Sequence, residues 1–269
     1  MLSALVRLVH PFPSALDAAV TFALALVAGA TPGRAALLGV AMLAIQFSIG
    51  AFNDVLDAPA DAVAGRSKPL VDGRIPVRVA HGVAVVAGTA GLVLAALGGP
   101  AAALVALAGY GIGLVYDLQL KASPWSWLPY AMGIPLLPVF AWVGATGDLP
   151  VPILVLAGTA LAIANSLADA ERDAASRTAT VARTLGRARA IRLGALLSFV
   201  VGGIATTSAV VLAGSIPGTW LTCAGAATLA AGVGMGVLGH LQRAWEVQAI
   251  GLGILAAGWV ASLAAAGLL

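Results

Sequence analysis

Two polar patches interrupt an otherwise apolar chain: Asn53-Asp54-Val55-Leu56-Asp57-Ala58-Pro59-Ala60-Asp61 and Asn165-Ser166-Leu167-Ala168-Asp169-Ala170-Glu171-Arg172-Asp173. They hold six of the eleven acidic residues, and Asn53, Asp57 and Asp61 each stand 112 positions before Asn165, Asp169 and Asp173. On a helix, Asn53, Asp57 and Asp61 recur every four residues and Asp54 precedes Asp57 by three, so all four share a face; the second patch repeats that spacing. Clustered carboxylates raise one another's pKa and call for a compensating cation. Hard oxygen ligands of this type suit Mg²⁺, which takes one or two carboxylates per ion and completes its shell with phosphate oxygens and water. Two such sets facing each other describe a site for two magnesium ions and a diphosphate. A lone Asp would suit a helix cap equally well, but two patches in matched register do not. Asp54 also suits a packing partner for the loop that follows, and Glu171, off the stripe, suits a side chain facing water.

The elements that position these patches follow from composition. With 61% hydrophobic and 9% charged residues and a mean hydropathy of +1.02, the chain lies far from soluble domains, in which roughly 25% of residues are charged. It reads as an integral membrane protein. Pro11 and Pro13 break the first apolar run, which lacks the order of a cleavable signal and is expected to be retained. The single Cys223 permits no intrachain disulfide. The net charge of +3 comes from membrane loops, so no nucleic-acid partner is expected.

A bilayer core about 30 Å thick takes about 20 apolar residues per helix. Division at Gly, Pro and charged residues predicts nine spans: Ala15–Ala30, Ala35–Leu56, Val79–Leu97, Ala101–Tyr116, Trp125–Gly144, Val151–Ala170, Ala190–Ala213, Trp220–Leu238 and Val247–Leu268. The runs are too long and too continuously apolar for barrel strands. The expected fold is an all-α polytopic bundle of nine transmembrane helices around a central cavity, one domain over residues 1–269. Its halves, about 1–123 and 124–245, are related internally and a last helix follows. Pro59 is expected to break or kink the second span, leaving Asp61 in a loop.

Thirteen of the fourteen Lys and Arg residues fall in one set of connections, with Arg34 opposite. By the positive-inside rule that face and the N-terminus are cytoplasmic and the C-terminus is outside. Both patches then lie at the cytoplasmic ends of spans two and six. A charge at mid-helix costs roughly 2.5–3.5 kcal/mol on insertion scales, so neither patch is expected to face lipid.

At these residues the chain resembles the UbiA-type intramembrane prenyltransferase superfamily, whose nine-helix bundle carries Asn-Asp-x-x-Asp-x-x-x-Asp after the second helix and Asp-x-x-x-Asp after the sixth. Asn53–Asp61 and Asp169–Asp173 occupy those places. Gly65-Arg66-Ser67-Lys68-Pro69-Leu70-Val71-Asp72-Gly73-Arg74-Ile75 is similar to the family's basic loop, Tyr116-Asp117-Leu118-Gln119-Leu120-Lys121 to its Tyr-containing fourth loop, and Arg177-Thr178 with Leu185-Gly186 to the tail of the second motif. Pro59 within the first motif and Ser176 after the second depart from it.

The resemblance implies a prenyl chain passing from an isoprenoid diphosphate to an aromatic or lipid acceptor within the membrane, with Mg²⁺ held by Asn53, Asp54, Asp57, Asp61, Asn165, Asp169 and Asp173. Arg66, Lys68, Lys121 and Arg177 become candidates for the diphosphate, since positioned cations stabilise the leaving charge. Tyr116 is a candidate ring face for the allylic cation. Asp117 is either the group that takes the acceptor's proton or a solvated loop acid. Gln46, seven residues before Asn53 on the same face, is a candidate for the acceptor, as are Arg7 and His10. The expected location is the inner membrane of a prokaryotic cell. A terpene cyclase that ionises the same diphosphate is one alternative. An ion-coupled transporter is another, although transporter sites usually lie near the midplane on broken helices.

Overall fold

The computed structural model describes residues 2–147, 164–165, 167–168, 181–213 and 216–267. Lipid offers no hydrogen-bond partner to backbone N–H and C=O groups, so apolar runs must satisfy them internally. Among the described residues every regular element is helical. The helices are α1 (Leu2–Leu8), α2 (Pro11–Val27), α3 (Pro32–Val63), α4 (Val77–Leu97), α5 (Pro100–Val115) continued by a π-turn over Tyr116–Leu120, α6 (Leu128–Thr146), α7 (Val181–Leu185), α8 (Arg187–Ser208) continued by a second π-turn over Ala209–Ala213, α9 (Ile216–Val237) and α10 (Leu241–Ala265). Among the described residues seven segments are long and apolar enough to cross a bilayer, and α1 with α2, bent by 64° at their junction, make an eighth if counted as one span. They match the predicted spans in order. Most of the predicted sixth span, Val151–Ala170, lies outside the described residues.

Local chemistry sets the ends. Pro11, Pro32 and Pro100 open α2, α3 and α5, where the missing N–H has no intrahelical partner to lose. Thr31 caps α3 by accepting the Arg34 N–H at 3.3 Å. The expectation that Pro59 ends the helix is corrected: α3 runs through it to Val63, keeping Asp61 helical. Pro59 forgoes its own N–H bond to the Val55 carbonyl, but the Asp61 side chain beyond it is tied down by cations. The expected fourth loop is also corrected, since residues 116–120 continue α5 as a π-turn.

Small residues bring the helices close, as they must where lipid supplies little drive for association. A methyl group on Gly251 of α10 would stand 2.6 Å from the Leu229 nitrogen of α9, and one on Gly91 of α4 would stand 2.7 Å from Ile45 Cγ1 of α3. Helix α2 packs against α3, α6 and α10. Arg34, which the sequence sets apart from the other cations, donates from Nε to the Gly144 carbonyl and from Nη2 to the Gly98 carbonyl at 2.8 Å. It thereby fastens the ends of α4 and α6 beside the start of α3.

Candidate active site

The C-terminal ends of α3 and α5, the start of α2 and the loop after α3 meet at the other end of the bundle. Asp54, Asp57 and Asp61 project from one face of α3 toward Lys68 of that loop. The Lys68 ammonium lies 2.8 Å from Asp54 Oδ1, 2.8 Å from Asp61 Oδ2 and 3.8 Å from Asp57 Oδ2. Arg66 Nη1 donates to Asp61 Oδ1 at 2.8 Å, and Lys121 Nζ donates to Asp57 Oδ2. Asp54 and Asp61 are each only 2% exposed. Three carboxylates are thus balanced by three cations. Burial opposes charge on Lys68, but the Asp54 and Asp61 carboxylates more than offset it and hold its pKa above the ordinary 10.5. It is an ammonium throughout the neutral range.

Two further contacts close the arrangement. His10 Nε2 is 3.1 Å from Asp54 Oδ1; His10 sits in the break between α1 and α2 with φ 49°, the one positive φ outside glycine among the described residues. Asn53 Nδ2 donates to Asp117 Oδ1 at 2.6 Å. The π-turn carries Asp117 inward rather than into solvent, and its Oδ2 is buried with no hydrogen-bond partner among the described residues. Such turns accumulate at functional sites. Tyr116 stacks edge to face on Tyr130, with centroids 5.3 Å apart and planes at 86°.

The structure therefore brings Asn53, Asp54, Asp57, Asp61, Arg66, Lys68, Asp117 and Lys121 together. Gln46 lies deeper, its amide donating to Asp17 Oδ2. Arg7 donates to the Ser67 carbonyl at 3.5 Å, and His10 is engaged by Asp54, so neither stands apart as an acceptor pocket. Asn165 is helical and partly buried, while Asp169, Asp173 and Arg177 lie outside the described residues. Asp17 was not among the candidates. As the one acid inside the first apolar run, it carried a signal that attention to clusters passes over.

Among the described residues no group of three or more His, Cys, Asp or Glu side chains is placed to hold a metal ion by itself. The carboxylate oxygens of Asp54, Asp57 and Asp61 are hard donors of the kind magnesium takes, and they converge on Lys68 Nζ.

Fold and site together define a polytopic helical membrane protein with a buried, charge-balanced centre at one end of its bundle. The profile of the UbiA prenyltransferase family matches residues 16–249. The chain belongs to this family of transferases. Solved structures agree in fold: a UbiA homolog from Aeropyrum pernix K1 superposes with a TM-score of 0.74 at 19% identity, covering 94% of this chain and 98% of that one. A UbiA homolog from Archaeoglobus fulgidus bound to DMAPP and Mg²⁺ gives 0.65 at 20% identity, over 99% and 100% of the two chains. A structure of digeranylgeranylglyceryl phosphate synthase gives 0.68 at 14% identity, over 100% and 99%. No curated protein matches the sequence.

Proposed function

We propose that this chain moves a prenyl group from an isoprenoid diphosphate to an aromatic or lipid acceptor within the membrane. The observation that carries the reading is the convergence of Asp54, Asp57 and Asp61 on Lys68, with Arg66 and Lys121 alongside. The Archaeoglobus fulgidus homolog bound to DMAPP and Mg²⁺, and its counterpart bound to GPP and Mg²⁺, support the donor class.

In this reading Asn53, Asp54, Asp57 and Asp61 hold magnesium together with Asn165, Asp169 and Asp173, two ions in all. When bound, the metal supplies Lewis-acid neutralisation of the charge that grows on the diphosphate. Arg66, Lys68, Lys121 and Arg177 bind the diphosphate oxygens and oppose the same charge. The bond between the allylic carbon and the diphosphate oxygen breaks and its electron pair leaves with the diphosphate; a new bond forms from the acceptor to that carbon, and the acceptor releases one proton. Asp117 takes that proton at Oδ2, since Asn53 already fixes Oδ1. Tyr116 offers its ring to the cation, and Gln46 meets the acceptor. The charged end faces the cytoplasm, in the inner membrane of a prokaryotic cell.

The test is magnesium-dependent turnover in nanodiscs with geranyl, farnesyl and geranylgeranyl diphosphate and a panel of phenolic and lipid acceptors, with products resolved by mass. A prenylated acceptor with diphosphate release is expected, abolished in Asp57→Ala and Asp169→Ala with insertion intact. Hydrocarbon or alcohol products alone would indicate a cyclase. No release from any donor in folded protein would remove the reading.

A further inference from the structure

Among the described residues Lys68 is the one cation that all three acids of α3 share. Its ammonium lies 2.8 Å from Asp54 Oδ1 and from Asp61 Oδ2 and 3.8 Å from Asp57 Oδ2, whereas Arg66 serves Asp61 and Lys121 serves Asp57. Without Lys68 each acid would still keep one partner, since His10 Nε2 stands 3.1 Å from Asp54 Oδ1. The converging oxygens are thus spaced around an ammonium. Magnesium holds its oxygens at about 2.0–2.1 Å, so the three carboxylates cannot close on a metal at that point while Nζ occupies it.

The side chain can leave without the loop coming apart. Asp72 N–H donates to the Lys68 carbonyl at 2.8 Å, Ser67 Oγ donates to Asp72 Oδ2 at 2.8 Å, and Arg74 pairs with Asp72 at 3.0 Å. Ile75 anchors the far end of the loop, buried with Leu8 and Ala51. None of these contacts uses the lysine side chain. That side chain is 24% exposed, against 2% for Asp54 and Asp61, so its ammonium has a way to water on a flexible four-carbon stem. Charge dictates what must accompany such a move. Three acids and three cations balance as they stand; a dication alone would leave a positive surplus that includes a displaced ammonium, and a diphosphate alone would set a negative surplus beside buried carboxylates. Arriving together, each compensates the other, and the three donors of the ammonium suit phosphate oxygens as they suit carboxylate oxygens.

We propose that Lys68 is an exchangeable counter-ion: it fills the point where Asp54, Asp57 and Asp61 converge, yields that place to magnesium and turns its ammonium to the diphosphate, so that metal and diphosphate bind cooperatively through one side chain. The inference rests on the magnesium and diphosphate roles proposed above and adds the coupling between them. A coupling of this kind is reciprocal, each ligand tightening the other by the same factor.

The experiment uses the full chain in nanodiscs, with Mn²⁺ as the paramagnetic probe of the metal site and inorganic pyrophosphate as the probe of the diphosphate site. Bound Mn²⁺ is counted by electron paramagnetic resonance. Without pyrophosphate, Lys68→Met should bind Mn²⁺ on the order of tenfold more tightly than the wild type. Arg74→Met removes an exposed cation of the same loop that pairs with Asp72 rather than with the acids of α3, and should change the affinity by less than about twofold, because exposed charges are screened. A second readout needs no variant. Lys68 and Lys121 are the two lysines of the chain, so reductive methylation scored by peptide mass reports each ammonium separately in the wild type. Lys68 should react slowly in chelator, faster relative to Lys121 with magnesium, and slowly again with magnesium and pyrophosphate together; should Lys68→Met fold poorly, this pattern decides alone. A gain in Mn²⁺ affinity below about fivefold in Lys68→Met, or a Lys68 methylation rate indifferent to magnesium, would overturn the proposal whatever the turnover assay gives. Exchange at Lys68 without diphosphate release from any donor would instead remove the transferase reading and leave this one standing.

Discussion

Asp117 and Lys68 show how much a single side chain's surroundings add to its position in the chain. One oxygen of Asp117 is fixed by Asn53 and the other is buried and free of partners among the described residues, and the role we propose for it is to receive the acceptor's proton. Asp117→Asn keeps the shape and the Asn53 contact; kcat is expected to fall on the order of 10²-fold with little change in donor KM, measured by steady-state turnover. Lys68 faces Asp54 and Asp61, both only 2% exposed. Lys68→Met leaves Asp61 with Arg66 and Asp54 with His10 as their remaining partners, which should cost about 1.5–3 kcal/mol in magnesium-free melts and be partly restored by magnesium. Because the folded state raises the Lys68 pKa, its contribution is complete below the ordinary lysine value and fades only as pH climbs through the higher folded one. A stability profile flat between about pH 6 and 9 is therefore expected for this pairing. The carboxylate stripe was legible from spacing alone, since Asp54, Asp57 and Asp61 recur at helical intervals. Which cation meets which acid was not, because Lys68 reaches α3 through a loop whose path no local pattern dictates.

At the scale of elements, apolar periodicity located the spans but not their irregularities. Pro59 promised a helix end, yet α3 continues to Val63, where the cations around Asp61 hold the last turn. The π-turn at Tyr116–Leu120 had no separate signature: Tyr-Asp-Leu-Gln-Leu suits a loop or a helix equally, and the Asn53 contact of Asp117 is made across elements. Arg34 looked like a mere exception to the charge rule. It proves to serve the Gly98 and Gly144 carbonyls at the ends of α4 and α6. Arg34→Met should leave both without their side-chain donor and destabilise the bundle by about 1–3 kcal/mol, read as a lower melting temperature, with donor KM untouched because the site lies at the opposite end.

For the molecule as a whole, lipid makes the architecture legible: only helices and closed barrels cross it, and the long apolar runs of helices can be counted. The expectation that the two acid patches face each other rests on charge spacing and the cost of facing lipid, and Asp169 and Asp173 lie outside the described residues. Sidedness is open to direct assay. In a Cys223→Ser background, Ala64→Cys should react with a membrane-impermeant maleimide in inside-out vesicles and Thr146→Cys in right-side-out ones, if the charged end faces the cytoplasm. The three-for-three match of Asp54, Asp57 and Asp61 with Lys68, Arg66 and Lys121 also bears on how the chain is made. A nascent polypeptide must partition its acids before any ion from solution can reach them, and here the neutralising charges are encoded within the same polypeptide, a few residues or one helical hairpin away. Biogenesis is thereby uncoupled from metal supply, so magnesium starvation should idle the protein without sending it to quality-control proteases.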